Sequence, residues 1–200
     1  MIEKLAENVA LLFLKKDIIE KEDLEIYIYG SELLISEIIG TLLILGIGVV
    51  FEKFFKTILY LFVFTIIRVY AGGYHAPSHR TCITSFSLLF VGVLIITEWI
   101  FKRKVDILLV IGTIVSVGII FLFAPVEDHH KPLDRYEVNE FKRKARMRSL
   151  LLSVFVVLMY IIFPEFQDEA LYGMVAICQI AFFLIVGYAK NKLSDQEVAL

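Results

Sequence analysis

The sequence predicts an all-α integral membrane protein of about six transmembrane helices, preceded by an amphipathic interfacial helix. Three observations predict it. Hydrophobic residues make up 58% of the chain, above the roughly 45–50% typical of soluble domains. Mean hydropathy is +0.78. The apolar residues also fall in runs close to the ~20 residues that a bilayer-crossing helix needs, with no strand-like alternation competing. A chain of this composition has too little polar surface for a water-soluble fold of its size. In hydrocarbon its backbone groups must be satisfied within helices.

The expected spans lie near 31–51, 54–71, 82–101, 105–124, 149–163 and 171–189. The fifth is short and is fenced by Pro164. No Pro/Ser-rich linker divides the 200 residues, so one domain over 1–200 is expected, with an amphipathic region over 1–28. In the first sixteen residues Ile2, Leu5, Ala6, Val9, Leu12 and Phe13 share one helical face, and Glu3, Lys4, Glu7, Asn8 and Lys15 lie off it. That spacing fits a helix lying in the interface plane, as an anchor or as a docking surface. The acids in its first turns and the lack of a small-residue cleavage site argue against a cleaved signal peptide.

Lys and Arg set the orientation. With both termini in the cytoplasm, 15 of the 20 basic residues lie on the inner side. The run Lys102–Lys104 on the outer side opposes that assignment. Seven inner cations fall between Lys131 and Arg148, within the longest polar stretch, 125–148. It reads as a cytosolic loop. Its cations obey the positive-inside rule and are also suited to anionic lipid or to the charged tail of a substrate. The pair His129–His130 in that stretch is a weak metal signal.

The segment Arg68–Cys82, RVYAGGYHAPSHRTC, is unlike the rest of the chain. Gly72, Gly73 and Pro77 break helix. Two His, two Arg and one Cys crowd beside hydrocarbon, where ionisable groups are costly and point to function. A cysteine nucleophile needs a base and an electropositive setting. Cys82 falls where the third span begins, and a helix start with Arg80 nearby favours a thiolate. His75, seven residues upstream across Pro77, is a candidate base, and His79 is its rival. The plainer alternative is a small buried cysteine among interfacial histidines. Cys178, in AICQIAFF with no base nearby, reads as packing, and nothing suggests a disulfide framework. His75, His79 and Cys82 also have i, i+4, i+7 spacing, which admits zinc. Pro77 and the glycines oppose a continuous helix there, and no fourth ligand is evident. Glu32 and Glu37 stand at the start of the first span. Glu32 reads either as an interfacial charge or as a partner for His75 or Arg68.

Arg68, Gly73, His75-Ala76-Pro77 and Cys82, with seven residues from Arg to His and seven from His to Cys, resemble the accessory gene regulator B (AgrB-like) family of membrane peptidases in Gram-positive quorum sensing. Tyr29-Gly30-Ser31-Glu32 resembles that family's Tyr-Gly-x-Glu stretch. The resemblance implies a cysteine endopeptidase of the cell membrane. Such an enzyme cleaves the C-terminal tail of an AgrD-like precursor peptide and closes a thiolactone or lactone ring. It implies Cys82 as nucleophile, His75 as base, and Glu32, Arg68 and Gly73 in support. Lys142, Arg143 and Lys144 are candidates for holding the precursor. No cofactor, metal or nucleic acid is called for. The partners are the precursor and the lipid bilayer, and a homodimer is left open. A zinc-dependent membrane hydrolase and a non-catalytic transporter or scaffold are the alternatives; a transporter more often spreads its charged groups through several spans.

His79→Ala is expected to retain more precursor cleavage than His75→Ala, with chelators inhibiting neither wild type nor variant. The reverse ranking in a cleavage assay reassigns the base, and chelator sensitivity restored by zinc favours the metal reading.

Overall fold

The computed structural model describes residues 2–74, 78–127 and 134–198. Seven α-helices follow in order: α1 (Ile2–Lys15), α2 (Leu24–Val50), α3 (Phe54–Ala71), α4 (His79–Arg103), α5 (Ile107–Phe123), α6 (Arg135–Ile162) and α7 (Gln167–Val198). No strand occurs among the described residues. The all-α membrane architecture read from the sequence is the one observed. α2, α3, α4, α6 and α7 are long and apolar enough to cross a bilayer. α5 has 17 residues, a length of about 25 Å at 1.5 Å per residue, and is the marginal one.

Each expected span falls on a helix, but several boundaries move, among them both ends of α7, which runs Gln167–Val198 where 171–189 was expected. α2 starts at Leu24, after a 3₁₀ turn over Lys21–Asp23, so Tyr29–Glu32 are already helical. α4 starts at His79 rather than at Cys82. The largest change is in α6. The stretch 125–148, expected to be a loop, is helical from Arg135 onward. Asp134 and Glu137 explain the start. The Asp134 carboxylate accepts from the Glu137 N–H (2.7 Å), and Glu137 Oε2 accepts from the Asp134 N–H (3.2 Å). This capping box satisfies two end donors and sets the helix going through polar sequence. His129 and His130 lie outside the described residues.

The helices sort into two compact units, residues 1–47 with 76–90, and residues 48–75 with 91–200. In the first unit α1 buries Ala6 and Ala10, while Leu5, Val9 and Leu12 of its apolar face stay exposed. The Phe13 ring meets Tyr27 edge-on at 6.3 Å. A Cβ on Gly40 of α2 would lie 4.0 Å from Ile83 Cγ1 of α4.

In the second unit α7 is the central helix, packed against α3, α5 and α6. Two-thirds (67%) of its apolar window is buried, against 17–33% for the other four spans, whose apolar faces are left for lipid. Ala170, Ala176 and Ala181 keep the α7 surface small where neighbours cross it, and Leu171, Met174, Ile177, Ile180 and Leu184 fill the space between them. Small residues allow backbones to approach where the hydrophobic effect gives helices no reason to associate. The buried Tyr60 hydroxyl donates to Gln179 Oε1 at 2.7 Å, tying α3 to α7. At the start of α3, Lys56 pairs with Asp168. Lys53 and Lys102 share Glu98 at 3.4 and 3.1 Å. Lys102, a cation that opposed the orientation rule, is therefore half of an ion pair.

Gly173 of α7 faces Val156 of α6, and a Cβ there would lie 2.6 Å from Val156 Cγ1. Val156 is fully buried and β-branched, so it has little room to turn aside. Gly173→Ala is expected to destabilise by about 1–3 kcal/mol through overpacking. Gly118→Ala, where nothing lies within 4 Å, should be neutral or gain up to about 1 kcal/mol from helix propensity. Thermal unfolding of the two variants in one detergent checks the ordering.

Candidate functional site

α3 ends because two glycines follow it. Gly72 has φ +68° and Gly73 φ +115°, a region that side chains with a Cβ rarely adopt. The Gly72 N–H closes the last turn on the Arg68 carbonyl at 3.1 Å. Beyond that point no helix receives the backbone, and groups from distant segments take its place. The Val126 N–H donates to the Ala71 carbonyl (3.0 Å), and the Gly73 N–H donates back to the Val126 carbonyl (3.1 Å). The Tyr74 N–H donates to the Phe183 carbonyl of α7 at 3.0 Å. Arg68 Nη2 donates to the Tyr74 carbonyl at 2.6 Å. Its guanidinium carbon stands 5.3 Å from the Phe183 ring centroid. A Cβ on Gly72 would strike the Val126 carbonyl, and one on Gly73 would strike the Arg68 guanidinium.

Arg68 and Gly73, both singled out from sequence, thus meet in one turn of the second unit. Arg68 acts on the backbone there, holding the carbonyl of the residue that precedes His75. His75, Ala76 and Pro77 lie outside the described residues. The Ser78 hydroxyl accepts from the Thr81 N–H (3.2 Å) and shares a hydrogen bond with the Thr81 hydroxyl (2.8 Å). Ser78 therefore caps α4. Cys82 follows in the first turn, exposed and not in a disulfide. Its own N–H already donates to the Ser78 carbonyl at 2.9 Å. His79 opens the helix, and Arg80 beside it is exposed. Glu32 lies within α2, half-buried, in the first unit with Cys82. Glu37, one and a half turns further along, is exposed.

The basic stretch divides by role once it is helical. Arg146 donates through Nε and Nη2 to the Phe121 carbonyl (3.1 and 2.6 Å), one of the end carbonyls of α5. Arg148 reaches the Ile66 carbonyl (3.4 Å) and stacks over the Tyr70 ring at 4.1 Å. Lys144 pairs with Glu140 at 2.6 Å and also faces Tyr70. Lys142 is half-buried and Arg143 is exposed. Of the three cations expected to hold a substrate, Lys144 is engaged inside the protein, and Arg143 is the one most open to an outside partner. Cys178 is half-buried in α7, beside Gly112. Among the described residues no group of three His, Cys, Asp or Glu is placed to hold a metal ion. An open groove of about 650 Å³ beneath Ile19 and Tyr27, at the α1–α2 turn, contains none of the expected site residues.

Sequence reasoning missed Val126, Phe183 and Gly187. The first two act through main-chain groups, the N–H and carbonyl of Val126 and the carbonyl of Phe183, which no side-chain pattern reveals. Gly187 did leave a signal. A glycine inside the apolar run FFLIVGYAK costs about 1 kcal/mol of helix propensity and so points to a close backbone approach.

The fold and this turn define a polytopic helical membrane protein with an exposed thiol at a capped helix start. Comparison with known proteins gives the family. The profile described as accessory gene regulator B matches residues 1–189. An AgrB-like protein of Clostridium perfringens (strain 13) is 28% identical over 168 residues, covering 81% of this chain and 78% of that one. The accessory gene regulator protein B of Staphylococcus aureus (strain Newman) is 27% identical, covering 68% and 71%. That of Staphylococcus haemolyticus is 23% identical, covering 72% and 74%. No solved structure matches. The chain belongs to the accessory gene regulator B family, membrane proteins of Gram-positive quorum sensing.

Arg68→Ala is expected to lower processing activity while the protein still inserts. The lost bond is a charge-assisted one, worth about 1.5–3 kcal/mol. Arg68→Lys should recover only part of the loss, since an ammonium lacks the planar fork that both donates and stacks. Wild-type turnover by Arg68→Ala in proteoliposomes would remove this bond from the site.

Proposed function

We propose that this protein is a membrane cysteine endopeptidase that cleaves an AgrD-like precursor peptide and cyclises the product. The observation that carries the reading is the placement of Cys82, an exposed thiol in the first turn of a capped helix. A helix start favours negative charge. Membership of the family supports the substrate class.

In this reading His75 takes the Cys82 proton and the thiolate attacks a precursor carbonyl. The tetrahedral intermediate collapses, the C–N bond breaks, and the C-terminal tail leaves with the proton from His75. The remaining peptide is held as a thioester on Cys82. A Cys or Ser side chain of the same peptide then gives its proton to His75 and attacks the thioester. The ring closes and the Cys82 thiol is restored. Thioester-to-thiolactone exchange trades like bonds, so that step needs no ATP. Tethering gives the internal nucleophile a high effective concentration, and exclusion of water disfavours hydrolysis. Glu32, Arg68 and Gly73 support the site. Lys142 and Arg143, with Lys144 held by Glu140, attract the charged tail of the precursor.

Mass spectrometry of purified protein mixed with precursor should show an acyl adduct on Cys82, absent in Cys82→Ala. His75→Ala should slow its formation by about 10²–10⁴-fold, the span of general-base catalysis. Cys178→Ala should match wild type. An adduct on Cys178, or cleavage by Cys82→Ala, reassigns the nucleophile. Cleavage that needs added zinc supports a metallohydrolase, and the absence of any cleavage supports a scaffold.

A further inference from the structure

The turn after α3 is held by a partner that no sequence motif marks. Gly187 lies in the C-terminal half of α7, one helical turn beyond Phe183. A Cβ at Gly187 would lie 2.6 Å from the Tyr74 nitrogen and 2.7 Å from the Gly73 carbonyl carbon. Both are backbone atoms and cannot rotate out of the way. The missing side chain is what lets the Gly73–Tyr74 backbone lie against α7 and lets the Tyr74 N–H reach the Phe183 carbonyl. The contact is between backbones, with glycine on both sides. The Arg68 guanidinium closes it from above by holding the Tyr74 carbonyl and facing the Phe183 ring.

We infer that the Phe183–Gly187 step of α7 is a seat that positions the proposed base. Gly187 is its positioning residue, acting through the Tyr74 backbone. The carbonyl of Tyr74 belongs to the peptide unit that carries the His75 nitrogen. The Tyr74 N–H on α7 and its carbonyl on Arg68 fix both ends of the Tyr74 main chain, the last described residue before His75. The inference rests on the proposed role of His75. The seat itself stands on described atoms and is tested separately.

The test uses full-length protein in proteoliposomes in a Cys178→Ala background, so that Cys82 is the single thiol. Hydrogen exchange at the Tyr74 amide reads the seat. Slow exchange in the parent and fast exchange in Gly187→Ala are expected, with Gly173→Ala, a packing change elsewhere on α7, remaining slow. The pH midpoint of Cys82 alkylation reads the base. His75→Ala should raise it, Gly187→Ala should raise it in the same direction, and Gly173→Ala should leave it in place. With precursor, Gly187→Ala should lose about a hundredfold in kcat, the scale of a 1 Å misplacement, at unchanged KM. Should Gly187→Ala fail to insert, Gly73→Ala perturbs the same seat from the other side. Unchanged Tyr74 exchange in the seat variant overturns the seat. Equal midpoint shifts in the Gly187 and Gly173 variants reduce the effect to general loosening and also overturn it. Deprotection of Tyr74 with no midpoint shift in His75→Ala leaves the seat standing and removes the base assignment.

Discussion

The structure depends on how the backbone is satisfied where α3 stops. A buried N–H or C=O left unpaired costs free energy, so a helix that ends inside the protein must hand its last groups to other partners. α3 ends at Gly72 because two glycines with positive φ leave the helical path. The freed groups are taken up by Val126, just after α5, and by Phe183, inside α7. Arg68 covers the carbonyl that follows. One local break therefore ties α3 to two distant segments, and the rest of the second unit is arranged so that those segments are present.

Central placement of α7 follows from the same need. A helix that accepts a neighbour's backbone must offer a carbonyl and a bare surface together. α7 offers both at Phe183 and Gly187, and lower down it keeps Ala170, Gly173 and Ala176 where other helices cross. Two polar groups along it are matched with α3: Asp168 with Lys56 at one end, and Gln179 Oε1 with Tyr60 in the middle. Each bond joins α3, the helix that carries the break, to α7. Arg146 and Arg148 apply the same logic from α6, spending cations on carbonyls of α5 and α3.

The Arg68–Tyr74 turn is anchored by backbone bonds, while Cys82 is placed by a local cap at the start of α4. Ser78, three residues before Thr81, is sufficient for that cap.

The helix count, the approximate spans and the glycine break were legible in the sequence. They rest on local composition and periodicity, which act over a turn or two of helix. The long polar start of α6 was missed because charge obscured its helix, although Asp134 and Glu137 carried the capping-box spacing. Arg68 and Gly73 stood out in the sequence, but their task in the fold, holding the Tyr74 backbone against α7, did not. That task depends on Phe183 and Gly187, more than a hundred residues away in the chain. Only the packing of α3 against α7 brings a bare glycine surface and an accepting carbonyl to the point where the helix ends. Sequence determined which residues were unusual; tertiary structure decided what each one holds, because a backbone-to-backbone contact leaves no mark in side-chain periodicity.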